Sequence, residues 1–426
     1  MGERIFAVQR MQTDWIWLIL IVVVLVAAAN IVLKVFTKKL TESFGKKGAA
    51  AIRAARTVLG TVAVIFSVIM TAQLMPGIMT GTGVPPKTSS KSVNVAMMDR
   101  YDMYITNKVS GALDGVLAID KVYWLNDETL IAPKPNPSCY GSTSDPTSIQ
   151  WVLDEARDKL DIEEFVFDTG VAICEGSEIK YYLDETIFAI TWKRFIDNGV
   201  YTYAEVKIAH PSQFRRFLAG GTYGADKQFF TTQMASDVNA VLASSGDFYK
   251  FRNFGTIVYE GEVKRINNQS AHTCFIDDQG DMIFTYQGEL NTLEEAQRFV
   301  DENNIRFSIA FGPVLVDNGV RCEPQDYLMG EVNEEYPRAG LCQMGKLHYL
   351  VVTAGREEGF FHLNVPDIHK FAERLAETGC EKAYTLDGGQ TAAIALGGEM
   401  VNPTQYGSQR LISDIFYFAT ALPEGE

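Results

Sequence analysis

The string that stands out as able to do chemistry is Lys382–Gly398, KAYTLDGGQTAAIALGG. A short apolar strand runs into Asp387-Gly388-Gly389 and leaves through a second apolar stretch. The glycines permit positive φ and close backbone approach, so Asp387 is left at a strand edge where a ligand can reach it. The same string also reads as a plain hairpin turn with a solvated aspartate, and its surroundings must decide between the two. Other starting points are missing from the sequence. It holds no G-x-S-x-G elbow, no P-loop, no H-E-x-x-H and no dinucleotide fingerprint. The five histidines (His210, His272, His348, His362, His369) are dispersed, and His362 and His369 are too far apart for a helical zinc pair.

Asp387 needs a scaffold, and from Thr186 onward strand and helix patterns alternate. Thr186–Trp192, Tyr201–Ala209, Leu347–Thr353 and Lys382–Leu386 have the β-branched, aromatic or continuously apolar content of strands. Pro211–Leu218, Thr231–Ala243, Leu293–Asn303 and Val365–Thr378 read as helices, with hairpin punctuation at Glu260-Gly261 and Asp278-Gln279-Gly280-Asp281. The pattern predicts an α+β fold, a mixed or antiparallel sheet with packed helices, over residues 186–426. Ahead of it, residues 93–185 form an N-terminal module or stalk, in which Asn94 to about Ile119 and Ser148–Leu160 read as helical. Residues 81–92 (GTGVPPKTSSKS) read as a flexible linker.

Two apolar runs precede that linker. Trp15–Phe36 is 22 residues long, about 33 Å as a helix, enough to cross a bilayer core. Val58–Met75 is a second, uncharged run of 18 residues closed by Pro76-Gly77. Between them lie Lys38, Lys39, Lys46, Lys47, Arg53 and Arg56 against the single acid Glu42. The positive-inside bias places this loop in the cytoplasm. Residues 1–80 are therefore expected to be a two-helix transmembrane hairpin in contact with the lipid bilayer, with the C-terminal domain extracellular and the protein a multi-pass component of the cell membrane. A cleaved signal peptide at Ala27-Ala28-Ala29 is the rival reading, and the charge bias opposes it.

The whole chain carries a formal charge of −15, and the basic N-terminal segment makes the remainder more acidic still. Such a surface is a poor general binder of nucleic acid, so any phosphate must be held by a few local arginines. All six cysteines (Cys139, Cys174, Cys274, Cys322, Cys342, Cys380) fall in the part placed outside. An even count there permits disulfides, and scattered free thiols remain an equal alternative.

Several further segments come into register with Asp387. In order they are Phe311-Gly312-Pro313 with Leu315-Val316-Asp317-Asn318-Gly319, Pro337-Arg338, Gly355-Arg356, the helix Val365–Thr378, Leu386-Asp387-Gly388-Gly389, and Arg410 before Ser413-Asp414-Ile415. Upstream stand Ser245-Gly246-Asp247-Phe248-Tyr249 and Arg252-Asn253-Phe254-Gly255. Together they resemble the phosphodiester glycosidase family over about Tyr201 to Ala419. The family includes a lysosomal enzyme that uncovers mannose 6-phosphate and bacterial proteins linked to exopolysaccharide. The chain departs from the family pattern at Ser245, where Asn is usual, at Ala354, where Asp is usual, and at Ala339 and Gln390.

The resemblance implies a hydrolase that splits the anomeric bond of a sugar-1-phosphodiester in a cell-surface glycan or exopolysaccharide. A phosphate monoester is already a good leaving group, so the chemistry asks for a carboxylate near an oxocarbenium-like centre and for cationic donors to the phosphate. On that reading Asp387 and Asp247 are the catalytic carboxylates. Arg338, Arg356 and Arg410, with Gly388 and Gly389, bind the substrate. Clustered oxygen ligands without His or Cys would suit Ca²⁺ or Mg²⁺ if the site uses a metal. The departures motivate a second reading, a non-catalytic glycan-binding or exopolysaccharide assembly protein with a degenerate site.

Overall fold

The computed structural model describes residues 118–119, 122–123, 131–197, 199–247, 249–267, 271–323, 334–355 and 365–422. Both apolar N-terminal runs, the linker and Arg356 lie outside these residues. Strands β1 (Ala118–Ile119) and β2 (Val122–Tyr123) make a small hairpin. Then come β3 (Tyr140–Thr143), α1 (Gln150–Leu160), β4 (Ile179–Leu183) and two ten-residue strands, β5 (Ile187–Ile196) and β6 (Gly199–Ile208). The middle of the chain gives β7 (Phe214–Leu218), α2 (Thr231–Asp237), β8 (Leu242–Ser245), β9 (Ile257–Tyr259), β10 (Glu262–Arg265), β11 (Thr273–Asp277) and β12 (Met282–Thr285). After α3 (Leu293–Glu302) and β13 (Ile305–Ile309) follow β14 (Val314–Asp317), β15 (Val320–Arg321), β16 (Arg338–Gly345) and β17 (His348–Gly355). The last elements are α4 (Ile368–Ala376), β18 (Lys382–Leu386), β19 (Ile394–Leu396), β20 (Glu399–Met400) and β21 (Asp414–Phe418).

These strands form a nine-stranded sheet in the order β15-β14-β18-β16-β17-β6-β5-β4-β3 and a five-stranded sheet in the order β20-β19-β8-β21-β7. A three-stranded sheet, β12-β11-β13, and the β10-β9 pair complete the set, and the pairings between these strands are antiparallel. The fold is a sheet-rich α+β arrangement with few helices. The large sheet does not begin at Thr186, because β3 and β4 extend its edge beyond β5.

Alternation along the strands builds the layers. Ala204, Val206 and Ile208 of β6, Tyr349 and Val351 of β17, and Tyr384 and Leu386 of β18 face one core, where they meet Ile394, Phe416 and Phe418 of the five-stranded sheet. The intervening residues, among them Tyr201, Tyr203, Leu350, Val352 and Ala383, turn to the other face and pack under α1 and α4. Trp192 stacks on its cross-strand partner Tyr203 there, with ring centroids 5.1 Å apart. The far side of the five-stranded sheet packs on α2, and the three-stranded sheet packs on α3.

Two helix expectations are corrected. Pro211–Leu218 is a 3-10 turn at Pro211–Gln213 followed by β7, which pairs along its whole length with β21. The predicted helix Thr231–Ala243 stops at Asp237. Asn239 takes a left-handed conformation and Leu242 begins β8 between β19 and β21. Both errors come from sheet pairing overriding local helical pattern. All six cysteines are free thiols. Among the described residues no helix is long and apolar enough to cross a membrane, and the two apolar runs expected to do so lie outside them.

Candidate active site

Asp387 follows the last residue of β18. That strand is held on one side by β16, with Leu386 opposite Ala339. On the other side the Gly312 amide donates to the Thr385 carbonyl at 3.2 Å and the Thr385 amide donates to Pro313 at 3.1 Å. The chain then turns sharply, and the Gly389 amide donates to the Pro337 carbonyl at 2.8 Å. A Cβ at Gly388 would collide with that carbonyl oxygen. At Gly389, where φ is +64°, it would collide with the Tyr336 hydroxyl. Both glycines are therefore needed to bring the turn against the Tyr336-Pro337 segment.

The turn closes one end of a cavity of about 300 Å³. Arg252, Arg338 and Arg410 line it together with Asp387, Gly388 and Gln390, and Asp387 is the sole carboxylate among its described lining residues. Phe311, Pro313, Ile368 and Leu386 supply apolar wall. Burial pushes the Asp387 carboxyl up to about 6. A hydrogen bond from the Thr391 side chain and the charges of Arg410 and Arg252 pull the other way, and the Asp247 charge adds a smaller upward push.

The arginines are braced before any ligand arrives. Buried Arg338 donates through Nη2 to the Glu334 carbonyl at 2.6 Å and through Nε to the Pro366 carbonyl at 3.4 Å. Arg410 lies over the Phe251 ring and Arg252 over the Phe254 ring, each 5.9 Å from the centroid. The apolar wall is anchored through Tyr384 of β18. Its hydroxyl accepts from the Phe311 amide and donates to the His272 carbonyl, both at 2.8 Å.

Asp247 occupies different ground. Its side chain is fully buried, and Oδ2 meets Arg216 Nη2 at 3.0 Å and the Ala310 amide at 2.7 Å, while Oδ1 accepts from the Tyr249 amide at 2.9 Å. Arg216 reaches across to Asp414 Oδ2 through Nε at 3.1 Å and Nη2 at 2.9 Å. Burial opposes the Arg216 charge, but Asp247 and Asp414 outweigh it and raise its pKa. The same burial, with the Asp247 charge behind it, pushes Asp414 up to about 8. Gly246 permits this close packing, since a Cβ there would overlap the Asp414 carboxylate.

The structure thus brings together Asp387, Gly388, Arg338 and Arg410 of the expected site residues. Gly389 sits behind them in the turn, Asp247 sits outside the cavity lining, and Arg356 lies outside the described residues. Arg252 belongs with the lining arginines although sequence reasoning placed it only within a motif. Arg216 was missed. The signal was Arg215-Arg216 in the middle of an apolar strand, which is costly unless both find partners. Ser245 and Ala354, two of the departures, are buried in strands. Ser245 Oγ accepts from the Ala393 amide at 3.3 Å, and Ala354 pairs with Arg338. Among the described residues no group of three or more His, Cys, Asp or Glu side chains gathers as a metal site.

Residues 238–419 match the family model described as phosphodiester glycosidase. By that match this part of the chain is similar to a phosphodiester glycosidase domain. The segment contains Asp247, Arg252, Arg338, Asp387 and Arg410, so the cavity lies within the matched residues. The solved structures similar to the chain include a hypothetical protein from Synechocystis, with 14% identity and a TM-score of 0.45, covering 57% of this chain and 64% of that one. A second is the zebrafish N-acetylglucosamine-1-phosphodiester alpha-N-acetylglucosaminidase catalytic domain auto-inhibited by its pro-peptide, with 17% identity, a TM-score of 0.43, and coverage of 55% and 82%. A third is a putative exported protein from Burkholderia pseudomallei, with 15% identity, a TM-score of 0.36, and coverage of 52% and 74%. The chain spans just under two thirds of the Synechocystis protein's length. No curated protein matches the chain by sequence.

Proposed function

We propose that this domain hydrolyses a sugar-1-phosphodiester, with Asp387 as the reacting carboxylate and Arg252, Arg338 and Arg410 holding the phosphate. The observation that carries the reading is one carboxylate set among three arginines in a single cavity. The bond between C1 and the phosphate oxygen breaks, and its electron pair leaves with the phosphate as a monoester. Water supplies the new oxygen at C1 and gives a proton to Asp387, which passes it to solvent. A carboxylate titrating at about 6 is ionised at neutral pH and still basic enough for that transfer. A second carboxylate acting as general acid is dispensable because the leaving group is already stable, in keeping with the one aspartate among the described lining residues. Arg356, which follows β17 in the sequence, is proposed for the same phosphate site, and Asp247, paired with buried Arg216, is given a structural role.

Incubation of the chain with a sugar-1-phosphodiester should release free sugar and phosphate monoester in equal amounts. Absence of both products from the folded protein would reject the hydrolase reading. We also assign residues 1–80 as a bilayer hairpin that displays the domain outside the cell, where surface glycan or exopolysaccharide supplies the substrate. The support is the basic loop from Lys38 to Arg56 between two apolar runs. Protease added to intact cells should digest the domain, and full protection, with lysed cells as control, would reverse the topology.

A further inference from the structure

Arg252 reaches the cavity from residues 249–256, which belong to neither helix nor strand. A cation on irregular backbone must be held from outside if it is to meet a ligand in one place. The end of β10 supplies the hold. Arg265 Nη1 donates to the Tyr249 carbonyl at 2.6 Å, and Nη2 donates to the Phe254 carbonyl at 2.7 Å. One planar fork thus closes on both sides of Arg252. Two residues further on, Asn267 exchanges backbone hydrogen bonds with Gly255 at 2.8 and 3.1 Å, and its side-chain amide donates to the Asn253 carbonyl. Gly255 has φ +72°, and a Cβ there would lie 2.5 Å from that of Ala310. The segment is therefore pressed against the chain just before Phe311 of the cavity wall.

Arg265 faces this segment because of a bulge. In the β9–β10 pair Val263 lies opposite Val258, then the register slips by one residue and Arg265 lies opposite Ile257. Residues two apart on a regular strand share a face, so without the slip Arg265 would follow Val263 toward α3. The extra residue sends it to the other side, where Ile257 packs with Tyr249 and Ala310. The carbonyl held by Nη2 belongs to Phe254, whose ring lies under the Arg252 guanidinium and 6.5 Å from the Phe311 ring. Arg265 itself is not among the residues lining the cavity. We propose that Arg265, with Asn267 behind it, is a positioning residue that fixes Arg252 for a phosphate it does not touch. This rests on the proposed reading only in taking the cavity's ligand to be a phosphate.

A double-mutant cycle on the full chain, read as calorimetric affinity for inorganic phosphate, tests this. Arg265→Lys keeps the charge, but a single ammonium cannot close both sides of the segment. It should weaken phosphate binding about fivefold, and Arg252→Gln should weaken it about tenfold. In the Arg252→Gln background Arg265→Lys should change affinity by less than about twofold, because the residue through which it acts is gone. Arg338 is held instead from Glu334 and Pro366, so in an Arg338→Lys background the loss of about fivefold should remain. An unchanged affinity in folded Arg265→Lys overturns the proposal. So does the same loss in every background, or a loss abolished in both, since either describes a general loosening rather than a hold on Arg252. If Arg265→Lys does not fold, Asn267→Ala, which removes the side-chain hydrogen bond to Asn253 and leaves the backbone pairing with Gly255, goes through the same cycle and decides by the same outcomes. Absence of phosphate binding by the unsubstituted protein also overturns it. Selective coupling to Arg252 in a protein that does not turn over a sugar-1-phosphodiester would reject the hydrolase reading alone.

Discussion

Arg216, Asp247 and Asp414 meet with side chains at most 1% exposed, whereas Arg252, Arg338, Arg410 and Asp387 surround an open cavity. Both clusters join arginines to aspartates within the same domain, yet they are balanced differently. In the buried cluster two carboxylates share one guanidinium, and backbone amides of Tyr249 and Ala310 take up further Asp247 acceptor sites. Nothing is left over for a ligand. Among the described lining residues of the cavity three guanidiniums accompany one carboxylate, and that excess of positive charge is what an anionic diester would neutralise. The difference shows why aspartate and arginine in a shared motif do not by themselves mark a catalytic pair. The ratio of the charges and their access to solvent decide.

The comparison predicts that the buried cluster governs stability and the cavity governs turnover. Removing Arg216 should be the harshest change, because Arg216→Ala strands two buried carboxylates. Breaking a buried pair this way costs about 3–5 kcal/mol, a large part of a domain's net stability. Thermal or urea unfolding should show that loss, and a variant as stable as the unsubstituted protein would end the distinction. In the cavity Asp387→Asn should do the reverse. The amide is nearly isosteric and the glycines still make the turn, so the fold should persist, while turnover should fall on the order of a thousandfold, or about 4 kcal/mol of transition-state stabilisation. Stability and turnover measured on one preparation decide this, and full activity in a folded sample rejects Asp387. Arg410→Lys is milder. It keeps the charge but loses the planar fork, and KM for a phosphodiester should rise about tenfold, equivalent to about 1.4 kcal/mol. An unchanged KM would remove Arg410 from the phosphate site.

The cavity was legible where its parts are strings. Leu386-Asp387-Gly388-Gly389 reads as a strand running into a glycine turn, and β18 and that turn are in place, although Asp387 is half-buried rather than exposed. Arg338 and Arg410 were readable only as members of an ordered set of motifs, since a lone arginine in an acidic chain carries no local signal. The buried cluster was harder to read. Arg216 and Asp414 come together through the β7–β21 pairing, a contact spanning 198 residues that periodicity does not encode. The same pairing explains why Pro211–Leu218 was read as a helix. Two arginines in the middle of β7 mask the alternation, and only the partners of each, Tyr417 for Arg215 and Asp414 for Arg216, make the strand affordable. At the sheet edge, β3 and β4 contribute short polar or mixed segments whose place is set by β5 rather than by their own pattern.

The smallest expected effect concerns the charge of Asp387 itself. Its carboxyl titrates at about 6 in the fold against an ordinary 3.8, with burial as the main cause. The folded state therefore prefers the protonated form, and the stability associated with that preference is complete below the unfolded value. It is lost as pH rises from about 4 through about 6. Above that window the native protein carries a partly buried charge that the unfolded chain would rather hold. Asp387→Asn removes the charge, so its melting temperature should match the unsubstituted protein near pH 4 and exceed it above pH 7. In the same window kcat/KM of the unsubstituted protein should climb with pH and level off above about 6, because the base works only when ionised. The Arg216 cluster is common to both proteins, so the titration of Asp414, pushed up to about 8, cancels when the two melting curves are compared. If the two melting curves stay parallel from pH 4 to pH 8, the Asp387 carboxyl does not feel the burial that the cavity imposes, and the contrast between the two clusters loses its electrostatic basis.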